Sequence, residues 1–564
     1  MRKFKDDISV VLCGEAGAGI QTVENSVSRI FKTAGFNVFT SKEYMSRVRG
    51  GSNSTQLRIS STPKNCYCDR IDIFIPFDKE AYKHLYSRIT DDTVILADKE
   101  IIGETDKPFI DIPLSESAIG DVIYTNMIAS GIILGLFKVD FSRLEKSIKG
   151  NFGKKGADIV DKNIAAGKRG YQIAAGILKE INIEVAPGKN VGNKILISGA
   201  DACGMGALAG GCDFIASYPM TPGTNFFAFL AKNQTEFGVV VEQAEDEIAA
   251  INMSVGASYA GARSVVSTSG GGFDLMCEGV SLAAMTETPV VIHLAQRPGP
   301  ATGLPTRTEQ SDLDTALYSG HGEFQRAVFA PGNPLDCFDM TQKAFYIADK
   351  YQIPVFILSD QYLTDSIFCC PSFDKPEIPV KHIAESSPPY MRYKITPDGV
   401  SPRGVPGYGS GFVCAGSDEH DEDGRITEDE NMRKAMHEKR MKKLDGILNE
   451  TVKPELIGNF NYDNLIICWG STVEMLKEVL EILNDEKTSL LYFKQVYPLH
   501  PKTNEYLKKA EKVIFVENNF NGQFEKFVFQ NTGIKALGHI RKYDGLPFSA
   551  DKVAQQLKTI LEVK

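Results

Sequence analysis

Residues 239–272 read VVVEQAEDEIAAINMSVGASYAGARSVVSTSGGG. The apolar opening, Val239 to Val241, predicts a short buried strand, and Ile248, Ile251, Val255 and Tyr259 then recur at helical spacing. Glu242, Glu245, Asp246 and Glu247 crowd the junction. Two readings fit them. In one, the acids occupy the first helical turn, where the macrodipole favours negative charge by about 0.3–1 kcal/mol each. In the other, one acid is buried at the carboxyl end of the strand, in the crevice where open α/β sheets bind ligands. The next strand ends in Ser267-Thr268-Ser269 and a triple glycine, Gly270 to Gly272, whose bare backbone allows close approach of a ligand. Two successive strand ends thus look suited to one ligand.

Outward from this stretch, strand-like and helical runs alternate from Ile195 to about residue 370: ILIS, FIASYP, VVVE, SVVSTS and VVIHLA, then Ala327 to Ala330 and Ile353 to Ser359. Such alternation predicts an α/β fold with a doubly wound parallel sheet covered on both faces. After FIAS the chain runs Tyr218-Pro219-Met220-Thr221-Pro222-Gly223-Thr224, a loop stiffened by two prolines that presents the Thr221 hydroxyl at a strand end. After VVIHLA comes Gln296-Arg297-Pro298-Gly299-Pro300. Arg297 is either a solvated arginine or a cation on the same rim.

Nearer the N-terminus, ISVVLC (8–13) predicts a strand, and Gly14-Glu15-Ala16-Gly17-Ala18-Gly19 opens a helix with Val23, Val27, Ile30 and Phe31 on one face. The order GxxGxG reverses the dinucleotide fingerprint, and Glu15 stands where a pyrophosphate would lie. Arg47 and Arg49 precede Gly50-Gly51, a pattern that suits phosphate or, equally, surface ion pairs. An apolar helix is expected near Tyr171 to Ile183, followed by a linker at 184–193. Residues 371–410 are dense in proline and glycine and read as a connector. The charged run from Glu419 to Glu430 nearly matches a calcium loop, but Glu replaces the leading Asp and no amphipathic helix leads in. It reads better as a solvated acidic turn capping a basic helix, Glu428 to Leu448, that packs on a neighbour. Residues 460–564 form a further α/β unit, with a polar turn from Glu517 to Gln523 after a strand.

The composition suits a multi-domain globular protein: 564 residues, 43% hydrophobic and 24% charged. A net charge of −10 argues against general nucleic-acid binding. No apolar run reaches the roughly 18 residues of a spanning helix, and the two acids in MRKFKDDISVV make a poor signal peptide, so a cytoplasmic location is expected. None of the eleven cysteines forms a CxxC, so neither zinc nor iron–sulfur spacing is present.

YPMTPGT, EQAEDEIAA and HLAQRPG, in that order and at these spacings, resemble the α subunit of the 2-oxoacid:ferredoxin oxidoreductases. The resemblance covers nearly the whole chain. The N-terminal glycine loop and EYMSRVRGG look like the family's γ domain, fused in front as in the 2-oxoglutarate and broad 2-oxoacid branch. It implies a γ-type α/β domain over 1–183, a pyrimidine-type thiamine diphosphate domain over 194–370, a linker and charged helical segment over 371–459, and a transketolase C-terminal-like domain over 460–564. It also implies a reaction: thiamine-dependent oxidative decarboxylation of a 2-oxoacid with coenzyme A, electrons passing to ferredoxin. Glu247 matches the acid that bonds the aminopyrimidine, while Thr221 and Arg297 match the substrate-binding residues. Tyr218, Pro219, Ser269 and Gly270 fall at the cofactor-binding positions, with Arg47 and Arg49 as phosphate ligands. No diphosphate and magnesium motif and no cluster cysteines occur, so thiamine diphosphate would be shared with a β subunit holding magnesium and a [4Fe-4S] cluster, as an α2β2 assembly. The competing class is a non-catalytic regulatory subunit that binds a nucleotide or coenzyme A.

Overall fold

The computed structural model describes residues 2–46, 51–114, 124–374, 376–377 and 380–562; Arg47 and Arg49 lie outside them. Two compact units result, one of residues 1–197 with 366–372 and 549–551, the other of the remaining chain.

The first unit carries an eight-stranded sheet in the order Ile110–Asp111, Val94–Ala97, Ile73–Pro76, Asp7–Glu15, Ser52–Ser60, Asn37–Glu43, Ile367–Cys370, Ile195–Ser198. Gly17 and Gly19 take left-handed φ angles of 99° and 75° before the Ile20–Thr33 helix, which buries Val23, Val27, Ile30 and Phe31 as its periodicity requires. Ser52–Ser60 pairs antiparallel with both Asp7–Glu15 and Asn37–Glu43 and so separates them. The parallel βαβ unit of a nicotinamide site is therefore not formed. The expected apolar helix ends earlier than its hydropathy suggests: the helix is Ala157–Ile177, and Ile181–Glu184 is a strand parallel to Arg2–Lys5. Ile195–Ser198, expected to open the second domain, joins the first unit's sheet instead. A four-residue apolar strand carries no local mark of which sheet it will extend.

The second unit holds the parallel sheet, ordered Val240–Gln243, Phe214–Ser217, Ser264–Thr268, Val290–Gln296, Pro354–Asp360, Ala327–Phe329, with Gln495–Tyr497 added antiparallel at the far edge. Val240–Gln243 is thus an edge strand with Val240 exposed, not the buried strand its valines suggest. Five further strands, Glu455–Ile457, Thr488–Phe493, Asn464–Trp469, Lys512–Glu517 and Gly538–Arg541, form a second sheet, parallel except for the first. One apolar cluster runs from Val266, Ile292 and Phe356 to Ile467, Phe493 and Phe524, so both sheets share a core.

The proline-rich connector is more than a spacer, since Arg392, Tyr393 and Arg403 from it are buried. The calcium-like turn is closed by its own chain. Glu419 binds Arg433 and Arg440, and Asp421 accepts the Asp423 and Arg425 amides. Asp429 caps the following helix, Glu430–Asn449, through the Met432 amide. That helix packs against its surroundings: Lys439 and Lys443 are buried, each 2.6 Å from the Glu287 carboxylate. Burial pushes the Glu287 carboxyl up, but Lys443, Lys439 and Arg392 together override it and hold it well below the usual carboxylate range. Its contribution to stability is therefore present above the ordinary glutamate titration and lost as pH falls below it. Glu287→Gln, which strands two buried ammonium groups, should cost roughly 3–5 kcal/mol, read as a lowered denaturant midpoint at pH 7. An unchanged midpoint would show that the pair is dispensable.

Candidate active site

The acidic cluster splits into the two roles its sequence left open. Asp246 is the N-cap of the Glu247–Tyr259 helix and accepts the Ala249 amide at 2.8 Å. Glu242 and Glu245 are exposed, and Glu247 alone is buried, at 3% exposure. The buried face of this helix is made mostly of small residues, Ala250, Ser254 and Ser258 among them, with Ile251 and Val255, while Ile248 faces outward. Small side chains let the helix lie close on the sheet, where Ser254 and Ser264 bond across to Val265 and Ser254 carbonyls. Glu247 is carried down with that face. A Cβ built on Gly272 would sit 2.4 Å from Glu247 Oε1, and one on Gly270 would sit 2.6 Å from Asp312 Oδ1. The room left by the glycines is thus occupied by two of the chain's own carboxyls.

Arg297 follows the central Val290–Gln296 strand directly and is 8% exposed. Its Nη1 donates to the Thr221 carbonyl at 2.6 Å, which ties together the ends of two strands on either side of Ser264–Thr268. Burial pushes the Glu247 carboxyl up, reinforced by Asp246 and opposed by its own backbone amide and by Arg297. Burial also lowers Arg297, against the pull of Asp312 and Glu247. Four buried polar atoms in this neighbourhood have no hydrogen-bond partner among the described residues: Glu247 Oε1, Ser269 Oγ, Arg297 Nε and Asp312 Oδ2. Buried polar groups are ordinarily paired, so this concentration marks a place for a polar ligand.

Beneath the rim lies a buried relay. Ser359 Oγ and Ser267 Oγ each lie 2.9 Å from a ring nitrogen of His293, and Ser267 Oγ donates to the Gly223 carbonyl. Because Ser267 spends its proton on Gly223, it accepts from His293 Nδ1–H, and Nε2 accepts from Ser359. Burial drives the imidazole down to about 3, so it stays neutral. The relay braces the loop that carries Thr221.

The fold gathers Glu247, Thr221, Arg297, Ser269 and Gly270, whereas Tyr218 and Pro219 lie exposed at the start of their loop. Sequence reading missed His293 and Asp312. A histidine inside the apolar run VVIHLA was a usable signal, since a buried imidazole needs partners. Asp312 offered none, because the segment after the Pro-Gly loop has no periodicity.

The family model described as "Pyruvate flavodoxin/ferredoxin oxidoreductase, thiamine diP-bdg" matches residues 205–440, and that described as "Pyruvate ferredoxin/flavodoxin oxidoreductase" matches residues 9–173. The chain is 32% identical to the 2-oxoacid:ferredoxin oxidoreductase subunit alpha of a Sulfolobus species, over 98% of this chain and 97% of that one. It is 27% identical to the 2-oxoglutarate oxidoreductase subunit KorA of Mycobacterium tuberculosis, over 99% and 92%. The solved 2-oxoglutarate:ferredoxin oxidoreductase from Magnetococcus marinus, with 2-oxoglutarate, coenzyme A and succinyl-CoA bound, matches with a TM-score of 0.94 at 33% identity, over 99% of this chain and all (100%) of that one. A thiamine-binding family model lies over the strand ends that gather Glu247 and Arg297, and relatives match from end to end: the chain is an oxidoreductase subunit and belongs to the 2-oxoacid:ferredoxin oxidoreductases, among their alpha subunits.

Proposed function

We propose that this chain supplies the substrate-binding and aminopyrimidine-binding half of an enzyme that oxidatively decarboxylates 2-oxoglutarate, passing the acyl group to coenzyme A and the electrons to ferredoxin. The observation that carries this reading is the set of four unpartnered buried polar atoms around Glu247 and Arg297. They fit a polar heterocycle on the carboxyl and a carboxylate on the guanidinium, which binds such groups in bidentate fashion. Glu247 and Ser269 would hold thiamine diphosphate, with Gly270, Tyr218 and Pro219 around it. Bound there, thiamine diphosphate supplies a carbon nucleophile and an electron sink for decarboxylation. Arg297 and Thr221 orient the oxoacid, and Glu247 holds and exchanges a proton at its buried oxygen.

The remaining parts belong to a β subunit, which would bring the diphosphate motif, magnesium and a [4Fe-4S] cluster, in an α2β2 assembly in the cytoplasm. Val240, Ile248 and Met253 support a partner on this side of the sheet, being exposed apolar residues close in sequence to the buried Glu247. Among the described residues, no helix is long and apolar enough to cross a membrane. Coenzyme A would meet Arg47 and Arg49 with its phosphates. The relatives named for 2-oxoglutarate favour that substrate.

Purification of the native assembly tests the proposal. The chain should copurify with a partner, iron and thiamine diphosphate, and kcat/KM across a panel of 2-oxoacids should be highest for 2-oxoglutarate. Oxidation of 2-oxoacids by the chain alone would overturn the two-subunit reading, and a preference for pyruvate would overturn the substrate.

A further inference from the structure

Asp312 lies at the edge of the site with one foot in each sheet. Its backbone amide donates to Gln296 Oε1 at 3.1 Å, at the strand end that carries Arg297. The segment before it is pinned on the opposite side. The Gln310 amide donates to the Asn518 carbonyl, its side-chain Oε1 accepts from the Asn518 amide and its side-chain Nε2 donates to the Trp469 carbonyl, while the Ser311 carbonyl accepts from Gln523. So held, the Asp312 carboxyl rests on the Gly270 backbone with Oδ2 buried and unpartnered.

We propose that Asp312 is a positioning residue for substrate: it is the counter-charge of Arg297 in the free enzyme and takes up one proton when the carboxylate of a 2-oxoacid reaches that guanidinium. This rests on the oxoacid reading of the site. Arg297, with Nη1 committed to the Thr221 carbonyl, is the cation whose charge reaches both the Glu247 and the Asp312 carboxyls. A third anion brought into the same buried space is affordable only if one of the others is neutral. Asp312 is the group poised to become so. Burial above all, with Asp274 and Glu309 adding to it and Arg297 as the cation that opposes them, pushes it up to about 7. Asp274 comes from the turn after the triple glycine and Glu309 from Asp312's own segment.

The sign follows. Below about 7 the carboxyl is protonated and substrate binds without proton exchange. Above it, each binding event draws a proton from solvent, so the Kd rises, approaching tenfold per pH unit, about the limit for one proton.

The test is calorimetric titration of 2-oxoglutarate and of pyruvate into the complete assembly from pH 6 to 8.5, in buffers of different ionisation enthalpy. The wild type should show proton uptake above neutral pH. Asp312→Asn, which keeps the backbone amide and the side-chain shape, should bind with a Kd flat in pH and no proton uptake. Asp274→Asn should keep the uptake but move its midpoint to lower pH, which a merely structural role for Asp312 would not do. A wild-type Kd flat across this range, uptake that survives in Asp312→Asn, or an unmoved midpoint in Asp274→Asn would overturn the proposal while leaving 2-oxoacid binding intact. Failure of the wild type to bind any 2-oxoacid at any pH would instead overturn the functional reading, and this inference with it.

Discussion

Glu247→Gln, in the chain assembled with its partner, should lower kcat by roughly 10²–10⁴-fold, the usual range for lost general acid–base function. The substitution changes a proton and little else. Glutamine keeps the shape and can donate a hydrogen bond, but it cannot exchange the proton that the buried Oε1 is placed to carry. Burial raises this carboxyl, so between its unfolded and folded titrations the native state binds more protons and stability declines with rising pH. Glutamine removes that penalty. The variant should therefore unfold at the same or a higher temperature than the parent near neutral pH while turning over far more slowly, the pattern of a site where function was kept at the expense of stability. Glu242→Gln and Glu245→Gln are the controls, since both side chains are exposed. Near-normal turnover in Glu247→Gln alongside loss in either control would show that the wrong acid was assigned.

Arg297→Ala should reduce kcat/KM for the 2-oxoacid by roughly 10²–10³-fold, within the 2–5 kcal/mol typical of truncating one member of a buried charge pair. Most of that loss should appear in KM, because a substrate carboxylate is bound alike in ground and transition states. Loss of the Nη1 bond also frees the Thr221 carbonyl, so a smaller fall in kcat is expected from loosening the loop. Arg297→Lys should restore little, since an ammonium cannot bridge Thr221 and a carboxylate with a planar fork. Removal of a cation that lowers Glu247 should also move the acid-side titration of kcat upward. A KM unchanged in both variants would place the substrate carboxylate elsewhere.

The element types around the site, and the loops that carry it, are legible in the local sequence. Alternating apolar runs set the parallel strands, the prolines of YPMTPGT and AQRPGP marked two strand ends, and the triple glycine marked a third. These are local properties: a strand or turn is specified by its own residues and their spacing. Which of four adjacent acids is buried was decided by tertiary structure, because the Glu247–Tyr259 helix lies on the sheet through its small residues and rotates Ile248 outward. Tertiary structure likewise placed Ile195–Ser198 in the first unit's sheet, chose Glu287 as the buried partner of Lys439 and Lys443, and set Asp312 over Gly270. Each of these depends on partners many residues away in the chain. The cost of burying a charge is met by whichever counter-charge the packing delivers, and no local pattern records that choice.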